Sequence, residues 1–234
     1  MNQIDHMIFV FTCPRSYSSL LTKCLTKCKA FAGYCLCNHK RNPQGSYENQ
    51  AIFETCFRQY SNQHNNSAYI AYCEDDYLKD KCDLLKETMT AIFNYQGYKG
   101  GAAIFKHTTF QMNYKNIISK FDKDKISIVI PKRNPEEIFQ SFYKLTEGTY
   151  IDEYIADEMS AYRQNINNII NDYPEITTVI NTNKLFKKDF TEIKSFVDNT
   201  SFLQWDENSV DKCIDWNIKN KKGLFGLATM YGEQ

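Results

Sequence analysis

The sequence predicts an α/β fold of three layers, with a central, mainly parallel sheet flanked by helices. Three observations predict it. Short apolar runs built from strand formers, Met7–Thr12, Ala102–Lys106 and Lys125–Ile130, recur along the chain. Stretches with apolar residues at helical spacing separate them, as in Leu20, Leu21, Cys24, Leu25 and Cys28. Strands alternating with helices favour parallel pairing with both sheet faces covered.

The elements follow in order. After the first strand and a polar turn, a helix runs from Ser18 to about Cys28. Asn38–Ser46 holds Pro43 and Gly45 and reads as a loop. A helix from Glu48 to about Tyr60, a short strand at Tyr69–Cys73 and a helix from Leu78 to Tyr95 come next, and Gly97, Gly100 and Gly101 stop the last. The strand Ala102–Lys106 leads to a helix over Phe110–Phe121. The strand ending at Ile130 leads to helices over Asn134–Leu145 and Tyr150–Asp172. A strand at Ile176–Asn181 and a mostly helical tail from Leu185 complete the chain.

The 234 residues suit one domain, taken as 1–234, since no linker divides them. Lys+Arg and Asp+Glu both number 28, so any anion site must be local. That balance gives no argument for nucleic acid or an acidic membrane as partner. No run approaches the ~20 apolar residues of a membrane-spanning helix, and Met1–His6 lacks the pattern of a secretory signal. A cytoplasmic protein is expected. Nine cysteines are present. Cys24, Cys28, Cys35 and Cys37, with His39 nearby, miss the spacing of paired zinc knuckles. They read as reduced, largely buried thiols, and no metal is expected.

Two segments carry chemistry. Pro14-Arg15-Ser16-Tyr17-Ser18-Ser19 joins the first strand to the first helix. Helix N-termini offer N–H groups and partial positive charge. Three serine hydroxyls and the Arg15 cation beside them suit a phosphate or sulfate better than simple capping. The loop is not a Walker A loop: the GxxxxGK[ST] pattern is absent, and no strand ends in a magnesium carboxylate. Lys132-Arg133-Asn134-Pro135-Glu136-Glu137 follows the later strand. Asn134 reads as N-cap, Pro135 as first helical residue and Glu137 as the partner of a capping box. Ser141 lies two turns on and can face the same crevice as Arg133. Two anion-capable strand ends imply a ligand with two separated anionic groups.

Together these segments resemble the family of sulfotransferases that use 3′-phosphoadenosine 5′-phosphosulfate (PAPS). PRSYSSLL is similar to that family's 5′-phosphosulfate loop, written PRSGTSLL or PKSGTTWL. RNPEEIFQS is similar to its 3′-phosphate element, with the same interval from Arg133 to Ser141. NPQGSYEN, from Asn42 to Asn49, resembles an NPxGYFEN stretch of bacterial members, and IFKHT places Lys106 at a strand end. The resemblance covers about residues 7–145 and implies a P-loop-like, nucleotide-binding transferase with PAPS as co-substrate. It implies that Arg15, Ser16, Tyr17, Ser18 and Ser19 hold the 5′-phosphosulfate. It assigns the 3′-phosphate to Arg133 and Ser141. Arg15 and Lys106 are the expected charge stabilisers, and Glu48, then His107, then His39 are the candidate bases. A small-molecule hydroxyl or amine acceptor is expected.

Tyr17 departs from the family, which has glycine there. A tyrosine calls for a different loop conformation, or for a side chain turned outward while its N–H is used. A small-molecule kinase and a nucleotide-binding module without turnover remain the alternatives.

Overall fold

The computed structural model describes residues 2–13, 15–35, 47–56, 84–107, 111, 114–145 and 152–230, with backbone alone at 53–54, 142–145, 152–159 and 219–230. Four strands, β1 (His6–Val10), β2 (Ala102–Lys106), β3 (Ile126–Lys132) and β4 (Thr177–Asn181), form one sheet in the order β2-β1-β3-β4. Every pair is parallel. The described helices are α1 (Ser18–Lys27), α2 (Gln50–Cys56), α3 (Leu85–Tyr95), α4 (Tyr114–Ser119), α5 (Pro135–Leu145), α6 (Asp152–Asp172), α7 (Thr182–Phe186), α8 (Thr191–Asn199) and α9 (Glu207–Met230). The expected strand at Tyr69–Cys73 lies outside the described residues.

β1 and β2 are buried along their whole length. Alternate side chains of a strand point to opposite faces, and each face of β1 feeds its own core. Met7, Phe9 and Phe11 join Ile52 of α2, Met89 and Phe93 of α3, Ile117 of α4 and Ile169 of α6. Ile8 and Val10 join Leu21 and Leu25 of α1, Ile193 of α8, and Val210 and Ile214 of α9. Helices on both faces of a parallel sheet make the three layers. Cys24, Cys28 and Cys213 are buried free thiols in the second core, and no metal-binding group of His, Cys, Asp or Glu occurs among the described residues. No helix among them is long and apolar enough to cross a membrane.

The strand order positions the site. From β1 the chain goes to β2 on one side and later to β3 on the other. Where the order reverses, the carboxyl ends of two neighbouring strands diverge and leave a crevice. The β1–α1 loop and the β3–α5 loop form its two lips. Lys106, in register with Val10, ends the adjoining strand β2.

Candidate functional site

The β1–α1 loop is tied down by buried hydroxyls. Thr12 Oγ1 donates to Cys13 O at 2.9 Å and shares a hydrogen bond with Ser16 Oγ, while Ser16 N donates to Cys13 O at 3.3 Å. Thr182, at the start of α7, bonds through Oγ1 both to Ser16 O at 3.2 Å and to Lys132 O at 3.0 Å. Thr12, Ser16 and Thr182 are fully buried, so these bonds are shielded from competing water. Thr182 thus fastens the loop after β1 to the end of β3.

The loop turns through two left-handed residues, Arg15 (φ 67°) and Tyr17 (φ 65°). Such a conformation costs a non-glycine residue roughly 1–2 kcal/mol. Tyr17 occupies the N-cap position of α1, and its side chain makes no capping hydrogen bond. The cap position thus falls on a tyrosine and not on a serine of the loop. Tyr17 itself takes a left-handed φ, a conformation that glycine adopts freely. Its side chain is not turned outward, as one expectation had it. The half-buried ring packs edge-on against Phe186 of α7, centroids 4.7 Å apart, and the Arg133 guanidinium lies 4.1 Å over it. Apolar and cation–π contacts there offset the backbone strain.

Arg133, Arg15 and Ser141 come together across the crevice. Arg15 Nε donates to Ser141 Oγ at 3.0 Å, and Arg133 Nη1 donates to Arg15 O at 2.8 Å. Asn134 caps α5, its Oδ1 accepting from Glu136 N at 3.0 Å. Glu137, however, completes no capping box. Its carboxylate accepts from Arg133 Nε at 2.9 Å, because a charged partner outcompetes a backbone N–H. Burial, and then the charge of Arg133, pushes Arg15 down from its ordinary value. Two guanidinium groups held this close favour an anion beside them. Arg133 uses two of its five N–H donors in these bonds, leaving three without a partner among the described residues.

A second group stands one strand away. Lys106, only 4% exposed, has Nζ 2.7 Å from Glu48 Oε1. Glu48 lies before α2 rather than in its first turn: Asn49 caps that helix, Oδ1 accepting from Ile52 N at 3.3 Å. Asn49 also makes a reciprocal amide pair with buried Gln96, Nδ2 to Oε1 at 2.6 Å and Nε2 to Oδ1 at 3.2 Å. That pair anchors the segment presenting Glu48. Gly33 sits against it at φ +67°, and a Cβ there would overlap Gln96 Oε1 and approach Asn49 Nδ2 to 2.6 Å. Gly33→Ala is therefore expected to destabilise the fold by about 2 kcal/mol, from overpacking and left-handed strain together. A urea melting curve unchanged by the substitution would refute this. Burial pushes His107 down to about 4, with Glu48 opposing and Lys106 adding to the effect.

Among the sequence-predicted residues, Arg15–Ser19 lie on one lip of the crevice and Arg133 and Ser141 reach it from the other. Ser18 is buried and Ser19 partly exposed. His39, Pro14 and most of the NPQGSYEN stretch lie outside the described residues. Sequence reading missed Thr12, Thr182, Asn49 and Gln96. Only Asn49, a capping residue type ahead of a helical stretch, carries a local signal.

No family model matches the chain, and no curated protein sequence matches it. Solved structures do. The sulfotransferase domain of the Synechococcus PCC 7002 olefin synthase is 15% identical with a TM-score of 0.56, over 90% of this chain and 77% of that one. Sulfotransferase STF1 from Mycobacterium tuberculosis H37Rv is 13% identical with a TM-score of 0.55, over 91% and 71%. The sulfotransferase domain from the curacin biosynthetic pathway is 18% identical with a TM-score of 0.50, over 84% and 74%. The chain has a sulfotransferase-like fold.

Proposed function

We propose that the chain is a sulfotransferase that takes its sulfuryl group from PAPS and passes it to a hydroxyl or amine of a small-molecule acceptor. The observation that carries this reading is the guanidinium pair Arg15 and Arg133 at the crevice beside the α1 N-terminus. These donors fit a ligand with two separated anionic groups. PAPS would supply the activated sulfuryl group and a leaving phosphate.

In this reading Arg15, Ser16, Tyr17, Ser18 and Ser19 cradle the 5′ group, while Arg133 and Ser141 receive the 3′-phosphate. Arg15 and Lys106 provide fixed positive charge where negative charge develops in transfer. Glu48 accepts the acceptor's proton. His107 is the second candidate: burial holds its imidazole near 4, which removes the advantage an imidazole has over a carboxylate as a base.

The test is thermal denaturation with 3′-phosphoadenosine 5′-phosphate, against ATP-magnesium and AMP. At 100 times its dissociation constant, that ligand should stabilise the fold by about 2.7 kcal/mol, and Arg133→Ala should lose most of the shift. A larger shift with ATP-magnesium would replace this reading with a kinase.

A further inference from the structure

Tyr17 does two jobs at once in the geometry of the crevice. Its backbone, fixed by the Leu21 N to Tyr17 O bond of 3.0 Å, sets the start of α1. Its ring, braced edge-on by Phe186, supports one face of the Arg133 guanidinium. Arg133 is also held in its own plane, at Nε by Glu137 and at Nη1 by the Arg15 carbonyl. Two in-plane bonds still let a guanidinium tilt about the line through the two bonded nitrogens. A ring face 4.1 Å away stops the tilt and fixes the direction of the remaining N–H donors.

We propose that Tyr17 is a positioning residue that sets nucleotide specificity: its ring aims Arg133, so recognition of a 3′-phosphate depends on Tyr17. The inference rests on the sulfotransferase reading, in which Arg133 meets that phosphate. It gives the side chain at a position otherwise suited to glycine a role in ligand selection.

The experiment is calorimetric titration of wild type, Tyr17→Phe, Tyr17→Leu, Tyr17→Gly and Arg133→Ala with 3′-phosphoadenosine 5′-phosphate and with AMP. The readout is the affinity ratio between two ligands that differ by one phosphate, which loss of structure alone would not move selectively. Tyr17→Phe should keep the wild-type ratio within about two-fold. Tyr17→Leu and Tyr17→Gly should lower it about ten-fold. Tyr17→Gly relieves the left-handed strain, so its melting temperature guards against a folding artefact. If wild type shows a preference that Arg133→Ala abolishes and Tyr17→Gly keeps, this inference fails and the sulfotransferase reading stands. If wild type shows no preference for the bisphosphate, the 3′-phosphate site fails and the inference with it.

Discussion

Glu48→Ala is expected to lower sulfuryl transfer about 10²–10⁴-fold, the usual contribution of a general base, and to destabilise the fold by about 3 kcal/mol. The second effect comes from Lys106, a cation only 4% exposed that would lose the carboxylate 2.7 Å from it. Lys106→Met should behave differently. Transfer should fall about 10²–10³-fold, but stability should change by only about 1 kcal/mol, because Glu48 is 20% exposed and can turn to water. The double variant should then be more stable than Glu48→Ala alone, since the buried charge that lost its carboxylate is gone. Urea unfolding of the four proteins reads the stability cycle, and transfer of radiolabelled sulfate from PAPS to a panel of phenols and amines reads activity. Glu48→Ala retaining activity within ten-fold of wild type would remove Glu48 as the base. Equal destabilisation by both single changes would refute the asymmetry of the pair.

Acid should weaken the fold through His107 before it reaches most carboxylates. Burial pushes this imidazole down to about 4, against about 6.5 in an unfolded chain. Above pH 6.5 it is neutral in both states and stability does not depend on it. Between pH 6.5 and 4 the unfolded chain takes up a proton that the folded one refuses. Stability therefore falls by about 3 kcal/mol across that window and levels off below it. His6, also pushed down chiefly by burial, acts in the same direction. Asp172, Asp189, Glu192 and Asp206 are held low by their partners, so their contribution is lost only at more acid pH. Unfolding free energies from urea curves at pH 7.5 and pH 5 should differ in wild type by about 2 kcal/mol more than in His107→Gln. Parallel losses in the two proteins would show that the ring is not kept neutral by burial.

What the sequence made legible was local. A parallel strand buried on both faces reads as an unbroken apolar run, which is why Ala102–Lys106 coincides with β2, and the helical spacing of Leu20, Leu21, Cys24 and Leu25 is why the expected first helix coincides with α1. Asn134 and Pro135 announced the start of α5 by capping chemistry alone. The interval from Arg133 to Ser141 placed both on one crevice. What remained hidden depends on contacts between distant residues. Thr182 meets Ser16 across 166 positions, and Lys106 meets Glu48 across 58. Propensity argues against a left-handed tyrosine, and the ring contacts with Phe186 and Arg133 help hold Tyr17 there. The helix expected from Glu48 begins at Gln50 because the Asn49 side chain takes the cap. Glu137 left its expected backbone partner for a cation that the capping pattern does not consider.

The central place of β1 also governs how the chain can fold. Its two neighbours are made long after it: His6 must wait for Ala102 and Met7 for Ile126. At synthesis rates of 5–20 residues per second, about ten seconds pass before both edges of this five-residue apolar strand can be covered. Loop closure over such separations is slow, and an uncovered hydrophobic edge invites pairing with other chains. The strand order that puts the β1–α1 and β3–α5 loops side by side thus also makes the nascent chain a candidate for chaperone capture until β3 emerges.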